Sequence, residues 1–175
     1  GCVIVCLQET KKTSFDLAFI KSCCPKQFDH FAFVPSRGAL GGIVMIWKSS
    51  MFTGSVLFSD HFALVVNFTS TQSRQTWTLA NIYGPCTGDD RITYTNWLYE
   101  LDIPPSQDWL LLGDFNYIHA PNNRNKPGGS TLDMFTFNAI ICAQNLLELP
   151  IKGRAYTWSN MQLDPLLEQL DWFFT

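Results

Sequence analysis

The sequence predicts an α/β (α+β) protein, a four-layer α/β/β/α sandwich of two mixed β-sheets formed by one domain over residues 1–175. Three observations carry that prediction. Short apolar runs bounded by turn residues recur along the chain, as buried strands do. The middle runs follow one another across short gaps, which suits antiparallel neighbours, while helical patterns punctuate the two ends. Charged residues make up only 15% of the chain, against about 25% in an average soluble domain, so much of it must lie between layers.

Strands are expected at 2–8, 31–35, 42–47, 54–58, 61–68, 75–83 and 108–113, then near 155–159 and 168–174. Val3-Ile4-Val5-Cys6-Leu7 is a continuous apolar run, and Phe62, Leu64, Val66 and Phe68 alternate as in a strand with one core face. Phe15, Phe19, Ile20 and Cys23 share a helical face that Pro25 ends; Tyr94, Trp97, Leu98 and Leu101 share a second, stopped before Pro104-Pro105. A third helix starts at Ser130, with Asp133 three residues on as in a capping box, and is expected to turn Leu132, Phe135, Ala139, Cys142 and Leu146 inward. Arg37-Gly38 with Gly41-Gly42 reads as a hairpin turn, and Pro121 to Gly129, rich in Asn, Pro, Gly and basic residues, as an exposed connection. Trp158 reads as core. Both ends of the sequence fall inside apolar runs, which predicts a domain cut at both termini.

A hydrophobic content of 46%, with 14 Phe and 6 Trp, excludes disorder. The net charge of −3 excludes the whole-surface basic signature of a passive nucleic-acid binder, but not a local basic groove. No stretch approaches the ~20 apolar residues of a spanning helix, so no membrane association is expected. The six Cys form no C-x-x-C pair and stand at no zinc spacing from His30, His61 or His119, which predicts free or buried thiols in a reducing compartment.

Polar groups at the ends of apolar strands mark where chemistry would sit, because a strand holds them still. Leu7-Gln8-Glu9 ends the first strand in a carboxylate, Asn81-Ile82-Tyr83-Gly84-Pro85 ends a central one, Gly113-Asp114-Phe115-Asn116 ends another, and Leu170-Asp171 sets an acid in an apolar run. Carboxylates gathered at one edge repel unless a cation sits among them, and a hard ion such as Mg²⁺ takes few carboxylates and keeps positions for a phosphate oxygen. An Asp can polarise an attacking water, and an Asn or Tyr can donate to a phosphate. Gly113 would let backbone approach a ligand closely. Taken singly, Glu9 is also a solvated strand end, Asp114 with Asn116 an Asx-type turn, and Asp171 a buried acid bonded to backbone.

The ordered set Cys6-Leu7-Gln8-Glu9-Thr10, Asn81 to Pro85, Gly113 to Asn116, Lys152 to Asn160 and Leu170-Asp171 resembles the endonuclease/exonuclease/phosphatase superfamily, most closely the endonuclease domain of plant LINE-type (non-LTR) retrotransposons. The resemblance implies that Glu9 ligates Mg²⁺ or Mn²⁺, Tyr83 contacts the scissile phosphate, Asp114 orients the nucleophilic water and Asn116 steadies the phosphate. Asp171 matches the acid that buttresses the family's catalytic His, which in the family belongs to a Ser-Asp-His motif C-terminal to that acid, and no such motif follows Asp171 in these 175 residues; His119 aligns with no catalytic position. The resemblance implies DNA as substrate, a linked reverse transcriptase as partner, and an intracellular site of action, nuclear if genomic DNA is the target. Arg124, Lys126, Lys152 and Arg154 are the candidates for phosphate contact. The expected function is Mg²⁺-dependent DNA nicking, with little activity in this chain alone. The alternatives are a phosphatase of the same superfamily on small phosphoesters and a non-catalytic remnant. Oligomeric state is not legible in the sequence.

Overall fold

A computed structural model describes residues 1–37, 41–86, 88, 90–104 and 108–175. The chain divides into two compact units, Gly1–Tyr83 with Pro105–Gly113, and Gly84–Pro104 with Asp114–Thr175.

The first unit holds two sheets. In one, β1 (Ile4–Leu7) and β2 (His30–Val34) flank β3 (Ile43–Trp47), both antiparallel to it, with Cys6 and Ala32 opposite Met45. In the other, β4 (Phe52–Ser59), β5 (Ala63–Ser70), β6 (Thr76–Tyr83) and β7 (Trp109–Asp114) lie side by side in that order, with β4 and β6 antiparallel to β5. Each residue of β3 is buried, because its alternate side chains serve two cores. Ile43, Met45 and Trp47 pack with Leu64, Val66, Phe68 and Leu79 between the sheets. Val44 and Ile46 point the other way, into a cluster with Ile20 and Phe28 under helix α1 (Leu17–Cys23). Asp16 caps α1 by accepting from the Phe19 amide at 2.7 Å, and Phe15 packs in the same cluster from just before the helix. The turn read at 37–42 is only partly described, since Gly38 lies outside the described residues; Gly41 and Gly42 have φ of +71° and +89°.

Gly113 has a different reason from the one its position before Asp114 invites. At φ +138°, a Cβ there would stand 2.0 Å from the Ile82 carbonyl oxygen, so the glycine admits the neighbouring strand's backbone, not a ligand.

The second unit carries α2 (Asp90–Glu100), α3 (Thr131–Ala143), a 3₁₀ turn (Pro121–Asn123), the hairpin β8 (Trp158–Ser159) with β9 (Leu167–Glu168), and β10 (Asp171–Phe174). Helix α2 buries Tyr94 and Leu98 and ends before Pro104; Pro105 lies outside the described residues. Ser130 caps α3 as expected, accepting from the Asp133 amide at 3.1 Å. The inward face is not the expected one. Met134, Phe137 and Ile140 are buried, while Leu132 and Phe135 are 73% and 71% exposed and Ala139 and Cys142 lie outside with them. The helix is apolar around most of its circumference, so periodicity offers two faces of comparable quality and packing selects one. The region expected as a single strand at 168–174 is interrupted, because the Leu170 and Asp171 amides donate to Thr157 Oγ1 at 3.0 and 3.1 Å and not to a neighbouring strand. Trp158 is 41% exposed on the hairpin and so is not core. The connection after Pro121 is pinned: Arg124 pairs with Glu168 at 3.2 Å, and Asn125 donates to the Pro165 carbonyl at 2.9 Å.

The architecture is mixed α/β with several sheets, the class expected. No helix among the described residues is long and apolar enough to cross a membrane.

Candidate active site

In the first unit the end of β1 is held by a residue that belongs to one of the sequence motifs but has no role there. Asn81, fully buried on β6, accepts from Gln8 Nε2 and donates to the carbonyls of Val44 at 3.2 Å and Leu7 at 3.4 Å. An amide has two donors and an acceptor, and here all three are used across three strands. Gln8 is thereby anchored and Glu9 follows it at φ +51°, with Lys11 at +55°. Left-handed backbone at two such side chains is strained, and surrounding bonds maintain it: the Thr10 and Lys11 amides donate to the carbonyls of Gly42 and Gly41 at 3.1 and 3.0 Å. The Glu9 side chain is half exposed and 3.4 Å from Lys11 Nζ. Tyr83 closes β6 two residues beyond Asn81, and its amide donates to the Phe62 carbonyl at 2.8 Å.

The second unit gathers three of the candidate residues in one bonding circuit. Asp114 Oδ1 accepts from the Asn116 amide at 3.0 Å, an Asx turn in fact, and the Asp114 carbonyl accepts from Gly84 N–H at 2.8 Å. Asn116 sits at φ +51° and donates its side-chain amide to the Gly84 carbonyl at 2.7 Å. The Phe115 amide donates to the Leu170 carbonyl at 2.9 Å, which places the Leu170-Asp171 segment beside the turn, and Thr157 Oγ1 then orients the Asp171 backbone. A Cβ on Gly84 would lie 2.5 Å from the Phe115 carbonyl oxygen, so the circuit closes only around a glycine. Thr157 stood within the Lys152 to Asn160 run without a role; a hydroxyl two residues from a strand end was its only signal.

His119 is engaged elsewhere. Its Nδ1 is 3.0 Å from Asn138 Oδ1, and because Asn138 Nδ2 donates to the carbonyls of His119 and Met134, that oxygen must accept and Nδ1 must carry the proton. Its ring packs edge-on to Trp172 and against Phe137.

The basic candidates differ in availability. Arg124 is 11% exposed and committed to Glu168, and Lys126 is 2.6 Å from Asp164, whereas Lys152 and Arg154 are exposed. Among the described residues no group of three or more His, Cys, Asp and Glu is placed to hold a metal ion. A hydrated hard cation requires only one or two carboxylates, and the half-exposed Glu9 carboxylate at a braced strand end fits that donor set.

Residues 2–175 match the sequence profile of the Endonuclease/Exonuclease/phosphatase family, and the chain belongs to that family. Its fold is similar to that of the endonuclease domain of TRAS1, a telomere-specific non-LTR retrotransposon, with a TM-score of 0.64 and 12% identity over 86% of this chain and 68% of that one. It is also similar to D. rerio TDP2 complexed with a single-strand DNA product (TM-score 0.57, 14% identity, 98% of this chain and 69% of that one). A third similar structure is the mannosyl-6-phosphatase Bt3783 of Bacteroides thetaiotaomicron (TM-score 0.51, 11% identity, 90% and 66%). No match was found among the curated proteins.

Proposed function

We propose that the chain is the phosphodiester-hydrolysing domain of a retrotransposon endonuclease that nicks DNA, acting with a linked reverse transcriptase. The observation that carries this reading is the circuit joining Asp114, Asn116 and the Leu170-Asp171 segment through Gly84, Phe115 and Thr157. Asp114 accepts a hydrogen bond from the attacking water and aligns it with phosphorus. Asn116 has one side-chain N–H committed to Gly84 and turns the other toward a phosphate oxygen, adding a donor without negative charge. By the family resemblance, Tyr83 would offer its hydroxyl to a phosphate oxygen. Glu9 would hold Mg²⁺ or Mn²⁺, an ion that would supply positive charge to offset a phosphate's negative charge. Lys152 and Arg154, exposed and without charge partners among the described residues, meet the flanking backbone, whereas Arg124 and Lys126 are engaged with Glu168 and Asp164. Asp171 buttresses a base in the complete family pattern; in this chain His119 does not take that part, since Asn138 holds its Nδ1.

The test is nicking of supercoiled plasmid in Mg²⁺. The 175-residue chain should nick weakly or not at all, and joining it to a segment carrying Ser-Asp-His should raise the rate by about 10³-fold or more, because such residues act as a unit. Asp114→Ala should abolish the restored activity. Vigorous nicking by the unextended chain that survives Asp114→Ala would overturn the assignment, and phosphate release from a sugar phosphate without nicking would favour the phosphatase reading.

A further inference from the structure

We propose that Arg91 is a positioning residue that locks the Asn116 turn, and through it aims the Asn116 side-chain amide at a phosphodiester. The inference rests on the phosphodiesterase reading of the turn.

Arg91 lies in the first turn of α2, where helix electrostatics favour an acid over a base, so some other interaction selects it. Its side chain is only 21% exposed. Nη1 donates to the carbonyls of Pro85 and Asn116, both at 3.1 Å, with the Cys86 carbonyl at 3.4 Å, while Nη2 donates to Asp133 Oδ2 at 2.8 Å. The guanidinium carbon stands 4.0 Å over the Tyr117 ring. The plane of the group is thus fixed by a ring below, carbonyls along one edge and a carboxylate at another.

The carbonyls belong to the Gly84–Cys86 turn and the turn around Asn116, which also meet through Asn116 Nδ2 and the Gly84 carbonyl. Arg91 joins the same two turns a second time, through the Pro85 and Asn116 carbonyls, and opposes relaxation of Asn116 from φ +51°. A planar fork can serve both carbonyls and the carboxylate at once; an ammonium on a flexible stem cannot hold that geometry.

The test uses the 175-residue chain with Arg91→Lys, Arg91→Met, Asp133→Asn and Asn116→Ala, read by amide hydrogen exchange, by the NMR resonances of the Asn116 side-chain NH₂, and by affinity for a fluorescent DNA duplex in Mg²⁺. In Arg91→Met the Gly84 and Asn116 amides should exchange about tenfold faster while Phe137 and Ile140 in α3 are unchanged, and the Asn116 NH₂ pair should shift and broaden. Arg91→Lys, which keeps the charge and the fold, should behave like Arg91→Met. Asp133→Asn, which keeps the fork, should stay within about twofold of the parent. DNA affinity should fall equally in Arg91→Met and Asn116→Ala, and no further in the double variant. Unchanged Gly84 and Asn116 exchange in Arg91→Lys, full rescue by Lys, or additive losses in the double variant would overturn the proposal. If Asn116→Ala leaves DNA affinity intact while Arg91→Lys loosens the turn, the phosphate reading fails and the locking of the turn stands.

Discussion

Single side chains in this protein are constrained by what they touch more than by their type. Burial pushes the Cys6 thiol up to about 12, with the nearby Cys2 adding to it. A thiol raised above its unfolded value stabilises the fold below about pH 9 and loses that contribution as pH rises toward 12. Cys6 should therefore react with a disulfide reagent at pH 8 far more slowly than the exposed Cys2, Cys23, Cys86 and Cys142, and alkaline unfolding should shift when Cys6→Ala is compared with the parent. Gly113→Ala adds a Cβ 2.0 Å from the Ile82 carbonyl oxygen at φ +138°, and should cost about 3 kcal/mol or more in a urea melt. Glu9, Asp114, Asn116 and Asp171 are singled out in the sequence by their positions at strand ends. Arg91, Asn81 and Thr157 were not assigned roles, because their importance lies in backbone groups far away in the chain.

At the scale of elements, α3 shows how a cap can be read where a face cannot. Ser130 and Asp133 set the start through a local hydrogen bond, which depends on neighbours in sequence. The buried face depends on where the aromatic layer of Phe115, Tyr117 and Trp172 lies relative to the helix, and that layer takes Phe137. Phe137→Ala should lower stability by about 3–5 kcal/mol, whereas Phe135→Ala, at a site 71% exposed, should change it by about 0.5 kcal/mol or less; chemical denaturation of both variants checks the assignment. The hairpin β8–β9 is tied to the loop after Pro121 by Arg124–Glu168, nearly buried at 11% and 19% exposure. Arg124→Ala leaves Glu168 without its partner and should destabilise by about 3 kcal/mol, with faster amide exchange at Thr157 and Asn160, whose amides bond into the same hairpin.

For the whole molecule, the most exposed liability is the sheet edge. Among the described residues β4 ends its sheet, eight residues without a charge, with Val56 and Leu57 48% and 51% exposed and a register shift between Val56 and Phe58. Such an edge templates pairing between chains. Leu57→Lys should reduce self-association in light scattering at equal protein concentration without lowering the melting temperature; unchanged association would place the contact elsewhere.

The division between what was readable and what was not follows from the range of the interactions. Strand existence, helix caps and the order of the site motifs depend on neighbours within a few residues, so the sequence by itself determined the mixed α/β class, the three helices and the family. Tertiary structure decided which face of α3 is inside, why Gly113 is a glycine, that Trp158 stays outside, and that Arg91 ties two turns together. Each of those is a contact between segments distant in the chain, where local periodicity leaves alternatives of nearly equal energy and only close packing and the pairing of buried backbone groups choose among them.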